Sequence, residues 1–509
     1  MQNNQERPEV PLPKGGKDGM PCAGEPSKGG VPLYDEPYRN QFHFSPAIGW
    51  MNDINGAWYR DGVYHLTYQA DEAHLAPGNV GWGHAVSRDM VHWKQLPMAL
   101  EPGRNTVGAA YSGSVVLDTA DTAGFGAGIP ILIYTDSAVG QCMNYWSERE
   151  NRFVPYAGNP IVAMDEEGRQ DGLEPGAQRD PKVFWDETGG QWIMMVYRER
   201  GRVHPQCLQV YRSPDLKRWE RLEDFVCDGY RECPNIFPLR LDGGERKWVL
   251  QAASGRYSFV RFDGERFTVE QDWRESLLGG RDAYAGQTFV GLPEERIVYL
   301  CWLDDWSGCT VETSPWRNAA SLPYELSLRT LPDGRWHVFA EPVAELEALR
   351  ETSVRLPGRL LAAGENPFSA LRGELADGSL TLDLRQSEAR ELTLNLRGKR
   401  LTVDLEAREL RTVTAVTDPN SWGNGDYRMP IPVRDGRLTL RFLADRDSLE
   451  LLWGGGETLY LEEYGFDPAA AEWSVTADAP VRMIGAEYHT LRSQWRKENT
   501  EGSGCHHAD

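Results

Sequence analysis

The sequence predicts an all-β protein whose first part is a β-propeller. Runs of aromatic and β-branched residues alternate with two-residue turns of the type that joins antiparallel strands. These turns are Asp-Gly or Gly-Gly pairs, at Asp61-Gly62, Gly189-Gly190, Asp242-Gly243, Asp263-Gly264, Asp333-Gly334, Asp377-Gly378 and Asp435-Gly436. A weak repeat, Ser-x-Asp-(Met/Leu)-x-x-Trp, occurs at Ser87–Trp93 and again at Ser213–Trp219. A corner that recurs with a closing aromatic residue is typical of propeller blades.

Composition divides the chain into five predicted segments. Residues 1–35 are rich in Pro, Gly, Lys and Glu and are predicted to be a flexible N-terminal tail. Residues 36–340 hold most of the Trp and the longer strands, and they form the predicted catalytic propeller. Residues 341–357 are predicted to be a helical linker, because apolar residues recur there at helical spacing. Shorter alternating strands predict a β-sandwich over 358–497, followed by a C-terminal tail at 498–509.

Charge and hydropathy limit the class of partner. The 509 residues carry 54 basic and 76 acidic side chains, which gives a formal net charge of −22. Nucleic acid and anionic membranes are therefore poor partners, and a neutral substrate such as a sugar fits better. No run of 18 apolar residues occurs, which excludes a membrane-spanning helix. The start lacks the apolar core of a secretory signal, so we expect a cytoplasmic protein unless a native leader has been removed.

Motifs for metals and organic cofactors are missing from the sequence. It contains no His-Glu-x-x-His, no calcium-loop pattern, no Gly-Lys-Ser/Thr phosphate loop and no Gly-x-Ser-x-Gly elbow. We therefore expect neither a metal site nor a cofactor. The eight cysteines include no Cys-x-x-Cys pair, which predicts free thiols rather than a disulfide framework. Among them, Cys233 is expected to be a buried, inert thiol.

Three carboxylates in distinctive settings are the candidate catalytic residues. Asp53 lies in the run WMNDING, Asp180 in QRDPK and Glu232 in RECPN. A retaining glycosidase needs one carboxylate to attack the anomeric carbon and a carboxyl group about 5–5.5 Å away to protonate the leaving oxygen. Residues this distant in sequence meet only in a fold that gathers several strand ends around one pocket. Taken alone, Asp53 is better explained as an ordinary turn residue, while Asp180 is equally well explained as a strand-end turn and Glu232 as a solvated charge. Their joint occurrence favours catalysis.

Nine segments, in order over residues 36–495, resemble glycoside hydrolase family 32, the invertases, levanases and inulinases. They are FHFSP at 42–46, WMNDING at 50–56, YHLTYQ at 64–69, GWGHAVS at 81–87, YSGS at 111–114, RDPKVFW at 179–185, ECPNIFP at 232–238, YAGQTF at 284–289, and SPWR at 314–317 with SLP at 321–323. The resemblance implies a five-bladed propeller followed by a β-sandwich, with a funnel-shaped pocket on the propeller axis.

The resemblance also implies a role for each acid. Asp53 would be the nucleophile that forms a covalent fructosyl-enzyme, Glu232 the general acid and base, and Asp180 the transition-state stabiliser. Residues at the family's fructose-binding positions, or beside the acids, are Asn52, Gln69, Trp82, Ser112, Arg179 and Tyr284. Trp302 and Trp306 are predicted to lie at the pocket rim, while Trp50 is expected to pack in the core.

Departures from the family pattern bear on substrate preference. Ile54 replaces the usual Pro after the nucleophile, which loosens the backbone restriction without removing a catalytic group. Pro77 stands where many members have a Trp, so a preference for sucrose does not follow from the resemblance. Tyr111 replaces a common Phe and adds a hydroxyl that needs a partner if it is buried.

The expected function is that of a retaining β-fructofuranosidase, which releases terminal fructose from sucrose, fructooligosaccharides, levan or inulin. A fructosyltransferase on the same scaffold is the first alternative, because a sugar hydroxyl can replace water in the second step. A sugar-binding propeller without chemistry is a second, and an inverting glycosidase that acts on arabinosyl or xylosyl units is a third. The expected partner is the fructoside itself. The sequence leaves open linkage, exo or endo action, and whether the chain forms a homo-oligomer.

Overall fold

A computed structural model describes residues 32–164, 177–202, 204–226, 229–280, 282–303, 313–414, 425–467 and 469–495. Within these residues the regular elements are 36 β-strands and three short 3-10 helices. The predicted all-β class is confirmed. No helix in this part of the chain is long and apolar enough to cross a membrane.

The first sheets are antiparallel meanders, in which successive strands pair in chain order. Their strands are β1 (Gly49–Arg60), β2 (Val63–Asp71), β3 (Gly81–Ser87), β4 (Trp93–Leu100), β5 (Ala110–Asp118), β6 (Ile129–Asp136), β7 (Gly140–Ser147), β8 (Arg152–Pro155), β9 (Val162–Ala163), β10 (Gln178–Asp186), β11 (Gln191–Arg198), β12 (Cys207–Ser213), β13 (Glu220–Arg221) and β14 (Phe225–Val226). The strand β9 pairs with β7, and β14 pairs with β12, each as a short extra edge.

The remaining strands of the propeller continue this pattern and return to its start. They are β15 (Asn235–Arg240), β16 (Arg246–Gln251), β17 (Arg256–Phe262), β18 (Phe267–Ser276), β19 (Gly279–Gly280), β20 (Ala283–Val290), β21 (Val298–Leu303), β22 (Trp316–Arg317), β23 (Ala319–Ala320), β24 (Tyr324–Thr330) and β25 (Trp336–Pro342). The strands β1 and β20 pair in parallel through Ala57 with Phe289 and Trp58 with Val290. This pairing joins the first meander to the last in one ten-stranded sheet.

The first strands of the meanders lie side by side around a common axis. Contacts link β1 to β5, β5 to β10, β10 to β15, β15 to β20, and β20 back to β1. We call these five first strands the inner strands. A closed ring of neighbouring strands can bring side chains from distant parts of the chain together, which is the geometry that the separated acids require.

A two-sheet sandwich follows the propeller. Its strands are β26 (Arg350–Leu361), β27 (Ala376–Asp383), β28 (Glu391–Leu396), β29 (Lys399–Asp404), β30 (Glu409–Thr414), β31 (Gly425–Pro430), β32 (Arg437–Ala444), β33 (Ser448–Trp453), β34 (Thr458–Glu463), β35 (Trp473–Ala477) and β36 (Val481–Leu491). One sheet has the order β34-β33-β32-β27-β36-β26, and the other has the order β31-β30-β29-β28-β35. Their inner faces bury alternate Leu residues around Phe442 and Trp473, whose rings stack at 5.6 Å.

Propeller and sandwich share backbone pairing and an apolar core. The two-residue strand β19 of the propeller adds in parallel to β34, with Gly280 opposite Leu461. A second apolar cluster contains Tyr324 and Leu303 of the propeller together with Leu443 and Leu459 of the sandwich. Burial of this kind stabilises the two units as one folded body.

The predicted helical linker is only partly helical. After β25 ends, a 3-10 helix covers Ala344–Leu349 and buries Leu346 and Leu349. From Arg350 the chain is the edge strand β26, which pairs with β36, so the second half of the linker prediction is wrong. The open edge of β36 offers this segment backbone partners, and such tertiary pairing overrides a weak local propensity. The other 3-10 helices are Pro293–Glu295 and Leu384–Gln386.

Free thiols are confirmed at each cysteine that the structure describes. Cys142, Cys207, Cys233 and Cys301 are all buried and unpaired with one another. The remaining four cysteines lie outside the described residues.

Candidate active site

The predicted site residues lie where the inner strands lose regular pairing. Shifts of register interrupt β1–β2, β5–β6, β10–β11 and β20–β21, between Met51 and Ile54, Ala110 and Gly113, Arg179 and Lys182, and Tyr284 and Gln287. Each shift contains or adjoins a residue that the sequence singled out. A bulge bends its strand and re-aims the side chains, so neighbouring strand ends can direct their polar groups into one pocket.

Three residues at the site have strained backbone conformations. Asp180, Cys233 and Ala285 adopt positive φ values of 64°, 47° and 48°. Side-chain-bearing residues rarely adopt this left-handed conformation, which costs about 1–3 kcal/mol each where the surroundings impose it. The positions of Asp180 and of the segment around Glu232 are therefore imposed by the fold and not by local preference.

Asp53 Oδ2 is held by two donors from distant parts of the chain. The Ser112 hydroxyl donates to its Oδ2 at 2.5 Å, and the thiol of Cys233 lies 3.3 Å from the same oxygen. Burial raises the pKa of Asp53, the bond from Ser112 opposes that shift, and the charge of Glu232 adds to it. Fixed donors on one oxygen set the plane of the carboxylate.

Asp180 is buried and bonded through both its side chain and its backbone. Its Oδ2 accepts from the backbone N–H of Cys233 at 3.0 Å and lies 3.5 Å from the Cys233 thiol. Its own N–H donates to Thr135 Oγ1 at 2.9 Å. Burial raises the pKa of Asp180 to about 7, although the adjacent Arg179 guanidinium opposes the shift. Cys233, the residue after Glu232, thus contacts both of the remaining candidate acids.

Glu232 has a partner for each carboxylate oxygen. The Tyr284 hydroxyl donates to Oε1 at 2.5 Å, and Nη2 of Arg179 donates to Oε2 at 2.6 Å. A second bond runs from Arg179 Nε to Oε2 at 3.2 Å, and the same Nε lies 3.6 Å from Asp180 Oδ2. Burial disfavours the guanidinium charge, but Asp180 and Glu232 hold the pKa of Arg179 above its ordinary value. Arg179 therefore joins two of the three acids.

A chain of side-chain amides leads from the pocket wall to the interior. The indole N–H of Trp50 donates to Asn52 Oδ1 at 2.9 Å, and Asn52 Nδ2 donates to Gln69 Oε1 at 2.6 Å. Gln69 Nε2 then donates to the carbonyl of Ala110 at 3.2 Å. These bonds orient Asn52 beside Asp53. Trp50, which was expected to pack in the core, is half-buried at this wall and was missed as a site residue.

Two predicted substrate contacts are packing residues instead. Trp82 is 0% exposed, and its indole N–H donates to the carbonyl of Tyr111 at 3.0 Å, immediately before Ser112. It is buried because it packs in an apolar cluster with Leu132 and Tyr134 of β6 in the neighbouring sheet. Trp302 is 5% exposed and packs edge-on against Trp50 at 6.1 Å and Tyr284 at 6.2 Å. It supports the wall from behind, so the prediction that it lies at the rim is wrong. Trp306 lies outside the described residues.

Three further residues at the site were not singled out from the sequence. Thr135 at the end of β6 holds the backbone of Asp180. Asn55, with its amide oriented to satisfy its neighbours, donates to Ser112 Oγ at 3.0 Å and accepts from the Gln69 N–H at 3.1 Å. Glu199, just after β11, accepts from Arg179 Nη1 at 2.7 Å. The expected burial of Cys233 is confirmed, whereas its contacts with two acids were not predicted.

Comparison with known proteins links the site to one family. Residues 43–339 match the family model described as the glycosyl hydrolases family 32 N-terminal domain. A levanase from Bacillus subtilis is 31% identical over 503 residues, which is 91% of this chain and 72% of the levanase. An extracellular exo-inulinase from Aspergillus awamori is 32% identical, over 91% of this chain and 96% of that protein.

Solved structures show the same fold. The exo-inulinase from Aspergillus awamori superposes with a TM-score of 0.78 at 24% identity, covering 91% of this chain and all of that one. Fructan 1-exohydrolase IIa from Cichorium intybus has a TM-score of 0.74 at 21% identity, with 90% and 98% covered. The likeness confirms a β-propeller followed by a β-sandwich.

Proposed function

The chain belongs to glycoside hydrolase family 32 and is a glycosidase, and we propose that Asp53, Glu232 and Asp180 carry out retaining hydrolysis of β-D-fructofuranosides. The observation that carries this assignment is the linkage of the three acids, through Cys233 on one side and Arg179 on the other. In this proposal the propeller has five blades, with the ten-stranded sheet counted as two of them.

The first step is attack by Asp53 on the anomeric carbon of the terminal fructosyl unit. The bonds from Ser112 and Cys233 both end on Oδ2, so Oδ1 is the proposed attacking oxygen. As the new C–O bond forms, the glycosidic bond breaks and its oxygen takes the proton of Glu232. The products are a fructosyl ester on Asp53, a neutral leaving sugar and an ionised Glu232.

Between these states the sugar resembles an oxocarbenium ion. The buried carboxylate of Asp180, fixed by the Cys233 N–H, binds this cation and the ring hydroxyls more strongly than the neutral substrate. That difference lowers the barrier. A strained, pre-oriented carboxylate also needs little reorganisation during the reaction.

The second step reverses the roles of Glu232. As a carboxylate it takes a proton from water, and the hydroxide oxygen attacks the anomeric carbon and releases Asp53. Tyr284 and Arg179, which bond to the two oxygens of Glu232, keep it in place in both protonation states. Two inversions at carbon give fructose with retained configuration. Both steps use only side chains of this protein and water.

The proposed substrates are fructans and sucrose. The relatives include levanases, exo-inulinases and an invertase. Pro77, at the position where many family members have a Trp, lies in an exposed loop beside the end of β2. We propose that this exposed loop admits a leaving group larger than glucose.

Time-resolved product analysis tests the function. Wild type, Asp53→Ala, Glu232→Gln and the control Asp61→Ala, a hairpin-turn residue with 72% exposure, are each incubated with sucrose, levan and inulin. Free fructose from wild type and control alone, released first as the β-anomer, is the expected result. Formation of longer fructosides at high sucrose would identify the enzyme as a fructosyltransferase instead of a hydrolase. If no fructoside is turned over, both reactions are refuted.

A further inference from the structure

Strand register places Glu199 beside Arg179. Arg179 on β10 pairs directly with Tyr197 on β11, and Glu199 lies two residues beyond Tyr197. The Glu199 N–H donates to the carbonyl of Ala177 at 2.9 Å, so the pairing extends past the end of β11. Side chains two residues apart share a sheet face, and long ones reach their diagonal neighbour on the next strand. Glu199 therefore faces the guanidinium.

The guanidinium of Arg179 forms hydrogen bonds with two carboxylates. Its Nη1 donates to Glu199 at 2.7 Å, whereas its Nη2 and Nε bond to Glu232. The Glu232 side chain is 28% exposed and that of Glu199 is 44% exposed, so Glu199 lies on the solvent side. The guanidinium carbon also lies 5.0 Å from the Tyr197 ring centroid, within cation–π range. These contacts fix the guanidinium from three directions.

We propose that Glu199 is a positioning residue of the reaction, which orients Arg179 and limits the positive charge that Arg179 exerts on Glu232. This role rests on the proposed function of Glu232. Without Glu199, Nη1 loses the carboxylate that Glu199 supplies, and the guanidinium can rotate toward Asp180 or pair with Glu232 through both arms of its fork. Either movement alters the electrostatic field at the acid.

The charged and titratable groups around this arrangement come from several strands. They are Asp53 of β1, Arg179 and Asp180 of β10, Tyr197 of β11, Glu199 after it, Glu232 and Cys233 before β15, and Tyr284 of β20. Of these, Glu199 is the most exposed acid with a bond to Arg179. Its removal changes the net charge near Glu232 while Asp53, Asp180 and their bonds to Cys233 stay in place.

Glu199→Gln tests the role, because the amide keeps the size and an acceptor but loses the charge. The alkaline limb of the pH profile of kcat/KM should move to lower pH by roughly 0.5. The reason is that the positive charge of Arg179, no longer balanced by Glu199, favours the ionised form of Glu232. Glu199→Asp keeps the negative charge on a side chain that is one methylene group shorter. In this variant the alkaline limb should lie closer to its wild-type position. The control is Glu220→Gln, which breaks the exposed Arg212 pair at 2.9 Å in the same sheet.

The outcomes separate this inference from the proposed function. A shifted limb in Glu199→Gln, with kcat reduced more than KM is changed, supports it. If the alkaline limb of Glu199→Gln stays at its wild-type position, the inference is refuted, whether activity is unchanged or falls together with thermal stability. An equal shift of the limb in Glu220→Gln also refutes it. Failure of the proposed function would appear differently, as a wild-type protein that releases no fructose.

Discussion

The thiol of Cys233 lies 3.3 Å from Oδ2 of Asp53 and 3.5 Å from Oδ2 of Asp180, so one side chain contacts two acids. Burial raises the pKa of Cys233 well above its ordinary value, and the surrounding acids add to the shift. The thiol therefore stays protonated and acts as a weak donor, not as a nucleophile. It is a fixed link between Asp53 and Asp180.

Replacement of Cys233 by Ala should lower kcat/KM by about tenfold, because a hydrogen bond to an ionised group contributes about 1.5–3 kcal/mol and a thiol is a weak donor. Cys233→Ser keeps a donor and should lose less. Initial rates on inulin or sucrose measure both effects. Cys142→Ala, which removes a buried thiol from the core of another sheet, is the control and should affect stability only. Full activity in Cys233→Ala would show that the thiol contact has no catalytic importance.

Asp180 should reduce the stability of the protein at neutral and alkaline pH. Its pKa is about 7 in the folded chain, against an ordinary value of 3.8. Between these values the folded state holds a proton that the unfolded state has lost, so this group's contribution to stability falls as pH rises. Asp180→Asn should therefore raise Tm at pH 8 by roughly 2–4 °C and leave it unchanged at pH 3.5, while turnover is lost.

Thermal unfolding at the two pH values checks this expectation. Asp61→Asn provides the control, because Asp61 is an exposed turn residue and Asn tolerates its positive φ of 51°. An equal change of Tm for Asp180→Asn at both pH values would contradict an electrostatic origin.

The sequence predicted the site residues that lie on or next to inner strands. It did not predict those that reach the site only through pairing between strands. Asp53 and Asp180 lie in polar runs at the start of an inner strand and Glu232 lies just before one, so motif order found them. Thr135 and Glu199 lie at the ends of second strands and approach the site only through register, which local spacing does not encode.

The burial of individual side chains also could not be predicted from the local sequence pattern. The aromatic residues of the propeller were all compatible with a wall or with a core, and only the neighbouring sheets decide between them. Thus Trp82 is fully buried, while Trp50 is half-buried and donates to Asn52. For the same reason the segment after Leu349 became an edge strand, because the free edge of β36 lies beside it.

Gly280 should be essential to the junction of propeller and sandwich. Its φ is +106°, and a Cβ there would lie 2.1 Å from the carbonyl oxygen of Leu461. Gly280→Ala must therefore separate β19 from β34, at a cost of about 2 kcal/mol beyond the backbone strain. Gly264→Ala is a matched control, since its φ is +100° and nothing lies within 4 Å of the added carbon. Calorimetry should give Gly280→Ala the lower Tm; equal values would contradict the steric argument.

A buried imidazole forms the second polar link across this junction. His43 Nδ1 lies 2.9 Å from Asp445 Oδ2, and its Nε2 lies 3.1 Å from Glu450 Oε1. Asp445 also accepts from the backbone N–H groups of Gln41 and Phe42, at 2.6 and 2.8 Å. Carboxylates on both ring nitrogens require both to donate, so the imidazole is in its charged form.

The charged state of His43 makes the junction sensitive to alkaline pH. Burial disfavours the imidazolium, but the bonds to Asp445 and Glu450 outweigh it and raise the pKa of His43 to about 9. Because this exceeds the unfolded value of 6.5, the stabilisation is complete below pH 6.5 and is lost as pH rises through 9. Wild type should therefore have a higher Tm than His43→Gln at pH 6, and the difference should shrink by about pH 9.5. His92→Gln, at an exposed pair with Asp89, should show no such convergence. A constant gap between wild type and His43→Gln would mean that His43 acts by packing alone.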